Sequence, residues 1–124
     1  KEKLHKTFVD LFYEKAKKGF IYDNKKRFKD FLSVQKFCEI LVMIIKKDLR
    51  GTYNISIGRK IYLNQIISWL NKYNKKQFKI IKYNSKKNEN FYLNNNKLKS
   101  KIKVKNSLFE LKKDCLDLSK KLFS

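Results

Sequence analysis

The chain is poor in the residues from which many active sites are built. It has a single histidine, His5, and two isolated cysteines, Cys38 and Cys115, so no spacing among them matches a metal-ligand set. Both cysteines fall on apolar faces of predicted helices and read as buried free thiols rather than a disulfide, as expected of a reduced, cytoplasmic protein. The three glycines, Gly19, Gly51 and Gly58, never approach one another closely enough for a P-loop or a G-x-G-x-x-G dinucleotide loop. The longest apolar run, Ile40 to Ile45, is six residues, too short to span a bilayer. No signal peptide and no internal repeat is visible. The chain begins at Lys1 rather than Met, which predicts a fragment or a processed product.

Acidic residues are also few. Eleven Asp and Glu stand against 32 Lys and Arg, leaving a formal charge of +21. Such an excess ordinarily points to nucleic acid or an anionic membrane. Here it is nearly all lysine, with Arg only at 27, 50 and 59, whereas nucleic-acid readers favour the planar fork of Arg. Asparagine and isoleucine abound, there is one alanine, Ala16, and proline is absent, so the composition follows codon AT content. The 42% hydrophobic fraction in 124 residues is enough for one packed core.

Periodicity organises that core. Leu4, Phe8, Leu11, Phe12 and Ala16 predict a helix over 3–18, stopped by Gly19. Phe20 to Tyr22 predicts a short strand ended by Asp23 and Asn24, and Phe31 and Leu32 a brief extended segment. Ser33 is placed to cap a second helix whose stripe is Val34, Phe37, Cys38, Leu41, Ile44 and Ile45. Gly51 opens a predicted strand over 52–55, followed by a loop and a third helix on Leu63, Ile66, Ile67, Leu70 and Tyr73. Phe78 to Ile81 reads as a strand, 84–90 as a surface loop and 94–101 as a short helix. Ser107-x-x-Glu110 matches a capping box opening a last helix with Leu108, Leu111, Cys115, Leu118 and Leu122 on one side. The fold class is α/β, with about five helices and strands too few and short for an independent sheet, so a larger partner sheet is expected.

Two motifs invite chemistry. Tyr13-x-x-x-Lys17 puts a phenol and an ammonium on one helix face, where the cation can lower the phenol pKa. In so lysine-rich a chain the spacing arises by chance, and no glycine loop or partner serine precedes it. The loop after Ile55 offers Ser56, Gly58, Arg59 and Lys60 for an anion, with a solvated turn as the equal alternative for Arg59 and Lys60.

Lys29-Asp30-Phe31-Leu32-Ser33-Val34, then Gly51-Thr52-Tyr53-Asn54-Ile55 and the turn at Gly58, then Tyr92-Leu93-Asn94-Asn95-Asn96-Lys97-Leu98, together resemble the C-terminal part of the extended short-chain dehydrogenases. That family comprises NAD(P)-dependent nucleotide-sugar epimerases, dehydratases and reductases, and the resemblance covers nearly the whole chain. It implies a substrate-binding lobe packed against an N-terminal Rossmann domain absent here. NAD or NADP and the catalytic Tyr-x-x-x-Lys would belong to that domain. The chain departs from the family at several places. Lys29 stands for an Arg that contacts the nucleotide diphosphate, keeping the charge without the bidentate geometry. Ser33 stands for a frequent His, Lys36 for a frequent Asp and Asn94 for an Asp. Ile57 replaces a small residue.

The resemblance implies a nucleotide-sugar substrate and makes Lys29 the first candidate for a phosphate contact, with Asn54, Arg59 and Lys60 as further substrate-binding candidates. Asp30 is expected to bond neighbouring backbone and Trp69 to pack. No catalytic, cofactor or metal residue is expected in this chain, and neither a membrane nor a specific nucleic acid as partner. The full-length parent is a candidate homodimer. The alternatives are a small basic nucleic-acid-binding module and a degenerate family member kept for protein contacts.

Overall fold

The structure is a computed structural model that describes residues 7–23, 27–82, 90–103 and 107–124. The first helix, α1 (Phe8–Lys17), starts at a reciprocal capping box. The Thr7 hydroxyl accepts from the Asp10 N–H at 3.2 Å, and the Thr7 N–H donates to the Asp10 carboxylate at 2.9 Å. Thr7 has extended backbone, so the helix begins five residues later than its apolar spacing predicts; Leu4 lies outside the described residues. Gly19, at φ +84°, ends it as expected, its N–H bonding back to the Ala16 carbonyl.

The chain continues through β1 (Phe20–Asp23), β2 (Phe28–Lys29), α2 (Val34–Lys46), β3 (Ile61–Tyr62), α3 (Leu63–Leu70), β4 (Lys79–Lys82), α4 (Asn96–Lys99) and α5 (Leu108–Leu122). Among the described residues the mixed α/β class and the five helices are as expected. The strands pair only in twos. β1 runs parallel to β4, with Phe20 opposite Lys79, and β2 runs antiparallel to β3, with Phe28 opposite Tyr62. Sheets of two strands are marginal in water alone, and here helix packing supports them.

One expected strand is absent. Residues 52–55 are irregular because side chains rather than a strand ladder make their polar contacts: the Asn54 side-chain amide donates to the Asn94 backbone carbonyl, and the Lys97 ammonium to the Thr52 carbonyl. Tyr53 and Ile55 pack into the core instead. The second pairing falls at Phe28–Lys29, and Phe31 and Leu32 after it serve as packing residues. Phe28 and Tyr62 face each other across the short ladder with ring centroids 5.8 Å apart. Of the expected loop over 84–90, residues 84–89 lie outside the described residues.

Two apolar clusters hold these elements. The first joins α1, β1, α3 and α5 through Phe12, Ala16, Ile21, Ile66, Leu70, Leu111 and Cys115, with Trp69 packed at its edge as expected. The second is smaller: Ile40, Leu98 and Ile102, supported by Met43, Ile44 and Tyr53. Ser119 is fully buried between α3 and α5, and its hydroxyl accepts from the Tyr73 N–H just past the end of α3. Ser107 caps α5 by accepting from the Glu110 N–H. The Glu110 carboxylate does not close the expected box; it lies 2.6 Å from the Lys36 ammonium, which also meets Glu39 at 3.1 Å. Burial would lower the Lys36 pKa, but the hydrogen bonds and negative charge of Glu110 and Glu39 outweigh it and raise it. This triad ties α2 to α5.

Cys38 corrects the expectation of two buried thiols, for it is exposed. The buried side of α2 is the one carrying Ile40, while Val34, Phe37, Leu41 and Ile45 turn outward with Cys38, Val34 at 79% and Ile45 at 69% exposure. Cys115 is buried as expected, and burial, assisted by Asp114, pushes its thiol pKa from 9.0 up to about 11. An aromatic disulfide reagent at pH 8 should therefore label one thiol per chain within minutes and the second only in denaturant. Cys38→Ser should abolish the fast phase; a fast phase surviving it would show Cys115 to be accessible. Because the unfolded thiol ionises near 9 and the folded one near 11, stability falls as pH rises through that window.

Candidate functional site

Asp30 is the organising residue of the loop region. Its carboxylate accepts three backbone N–H groups: Ile57 at 2.9 Å, Gly58 at 3.1 Å and Leu93 at 3.2 Å. It thus fastens the 56–60 turn and the 90–95 segment to the end of β2, the backbone role expected of it. Gly58 has φ +74° and lies so close to Asn95 that an added Cβ would collide with the amide. Asn95, buried, donates from that amide to the Ser56 carbonyl at 2.9 Å. Ile57 places its side chain in the first core cluster.

The four candidate residues fall around this arrangement. Lys29, half-buried, pairs with Ile61, and its ammonium stands over the Phe91 ring at 6.0 Å. Lys60 is exposed, its ammonium 4.9 Å from the Phe28 centroid. Arg59, exposed, follows the Asp30-held Gly58. The β2–β3 pair and Asp30 therefore gather Lys29, Arg59 and Lys60 into one region. The Asn54 amide is engaged with the Asn94 carbonyl at 2.9 Å. Tyr13 and Lys17 do meet, but the ammonium sits 5.0 Å from the ring centroid, over the aromatic face.

None of these six lines the apolar cavity of about 330 Å³ that opens between α1, β1 and α3. Phe8, Leu11, Phe12 and Lys15 come from α1, Phe20 and Tyr22 from β1, and Leu63 and Ile67 from α3; Arg27 completes the lining. The volume is at the lower end of small-ligand pockets, and the lining is aromatic with two cations and no carboxylate. Such a wall suits a flat apolar body joined to an anion. A second cleft of about 550 Å³, between α1, the 31–35 segment and α5, suits an anion less well, since Asp114 and Asp117 line it against one cation, Lys121.

Sequence reasoning did not single out Arg27. The available signal was its rarity, one of three arginines in a lysine-dominated chain. Among the described residues no group of three or more His, Cys, Asp or Glu could hold a metal ion, and no helix is long and apolar enough to cross a membrane.

No protein-family model and no curated protein sequence matches the chain. Among solved structures it is similar to the UDP-N-acetylglucosamine 4-epimerase of Methanobrevibacter ruminantium M1, whose structure is a complex with UDP-N-acetylmuramic acid. The TM-score is 0.71 at 16% sequence identity, over 92% of this chain. The chain spans 38% of the length of that epimerase. The fold is therefore that of one region of a nucleotide-sugar epimerase structure.

Proposed function

We propose that this chain is the substrate-binding portion of an NAD(P)-dependent nucleotide-sugar epimerase, dehydratase or reductase, and that it holds the sugar-nucleotide diphosphate against the cofactor. The observation that carries this is the likeness, over 92% of the chain, to an epimerase structure determined with a bound UDP-sugar. The aromatic cavity with Lys15 and Arg27 supports it, since a nucleotide joins a flat base to a diphosphate.

The described residues do not fit a dinucleotide cofactor. Each glycine stands alone at a turn, and no strand leads through a glycine-rich loop into a helix N-terminus. NAD or NADP would then be held by a separate dinucleotide-binding portion, and hydride transfer belongs there. The outward face of α2 supports such a partner: Val34, Phe37, Leu41, Val42 and Ile45 form an apolar stripe at helical spacing, rimmed by Gln35 and Lys46.

The test is turnover. The intact gene product, given NAD⁺ and UDP-N-acetylglucosamine, should interconvert the 4-epimers, read by chromatography of the sugar nucleotides; the 124-residue chain alone should not. Neither NAD(P) binding nor conversion of any of a panel of sugar nucleotides by the intact product would reject the proposal.

A further inference from the structure

Lys29 is the position that the family resemblance points to for the phosphates, but the cavity is lined by a different cation. We propose that Arg27, with Lys15 as the second cation, fixes the phosphates of the bound nucleotide, and that Lys29 does not. This rests on the nucleotide-sugar reading and names the residue within it that does the holding.

Arg27 is anchored before any ligand arrives. Its carbonyl accepts the Leu63 N–H at 3.0 Å, and the next residue, Phe28, is paired with Tyr62. The side chain therefore leaves a fixed backbone, beside the start of α3, and lines the cavity. Its Nε is buried and has no hydrogen-bond partner among the described residues. A buried donor without an acceptor is costly, and a charged one more so. Nε itself is closed to solvent, so a ligand phosphate would be met by the terminal amino groups of the guanidinium, on the side where Arg27 lines the cavity, in the fork geometry a phosphate accepts.

Lys15 approaches from α1, its ammonium 5.9 Å from the centroid of Tyr22, which also lines the cavity. Phe20 and Tyr22 offer rings for the base between these cations. The Lys29 ammonium, by contrast, lies over Phe91, and Lys29 does not line this cavity. The cavity is too small for a whole nucleotide sugar, so the sugar would lie outside it, toward the cofactor.

The experiment is calorimetric titration of UDP into the intact gene product at near-physiological salt, where the general pull of this +21 portion on anions is screened. Arg27→Gln should weaken UDP at least tenfold and Arg27→Lys by a smaller factor. Lys29→Gln and the remote surface variant Lys112→Gln should stay within twofold of the parent. Thermal unfolding followed by circular dichroism confirms that each variant is folded. Displacement of the fluorescent sulfonate 8-anilinonaphthalene-1-sulfonate supplies a second readout.

The failures are separable. If Lys29→Gln loses UDP and Arg27→Gln keeps it, the nucleotide reading stands and the Arg27 assignment falls. If UDP does not bind but the sulfonate does, in an Arg27-dependent way, Arg27 is an anion site and the nucleotide reading falls. If neither ligand depends on Arg27, the site itself is overturned.

Discussion

Asp30→Ala should destabilise the chain by about 3–4.5 kcal/mol, on the order of 1–1.5 kcal/mol for each of three charge-assisted bonds lost. The three donors are the N–H groups of Ile57, Gly58 and Leu93, and they belong to segments that no regular strand pairing holds. For a domain whose whole stability is about 5–15 kcal/mol, the loss is a large fraction. Urea unfolding followed at the helical circular-dichroism band measures it. Asp30→Asn should recover only part, since one amide oxygen remains while the NH₂ faces a backbone donor. A change below 1 kcal/mol for the alanine variant would mean that the turn and the 90–95 segment are held by something else.

Gly58→Ala is expected to cost about 2–5 kcal/mol, from two separate sources. A left-handed φ costs a residue with a Cβ roughly 1–2 kcal/mol. The remainder, about 1–3 kcal/mol, comes from displacing Asn95, whose bond to the Ser56 carbonyl is buried. A double-mutant cycle with Asn95→Ala separates them: in that background Gly58→Ala should cost only the backbone part. An undiminished cost there would show that the collision with Asn95 is not the source.

The helices were legible because their apolar residues recur at helical spacing and their caps are local. Ser33 and Ser107 accept from the N–H three residues on, and Gly19 stops α1. The start of α1 was misplaced because apolar spacing continues upstream to Leu4, while the terminus is set by the polar exchange between Thr7 and Asp10. The strand expected over 52–55 had the right residues but not the right neighbours, and whether a segment finds backbone or side chains opposite it is a tertiary fact. Cys38 was misread for a related reason. Its helix has a wide apolar stripe, and periodicity does not say which part of that stripe faces this chain's core. In the candidate site, the backbone role of Asp30 was legible from its chemistry. The cavity was not, because it joins residues from α1, β1 and α3 with Arg27 between the last two in sequence, and its charge depends on which lysines the packing turns inward.

The parallel pairing of β1 with β4 bears on the order in which the protein folds. Phe20 and Lys79 are partners 59 residues apart (79 − 20), and closing a loop of that length costs roughly 3–4 kcal/mol of chain entropy before any contact repays it. The antiparallel β2–β3 pair closes only 34 residues (62 − 28), from Phe28 to its partner Tyr62, and α1 contacts β1 as an immediate neighbour along the chain. Topology thus makes the β1–β4 register a late event in folding. Phe20 and Tyr22, two of the cavity's rings, lie on β1. The aromatic wall of the candidate site is therefore completed only as that late register closes, and a ligand bound there would stabilise the closed register and slow its reopening.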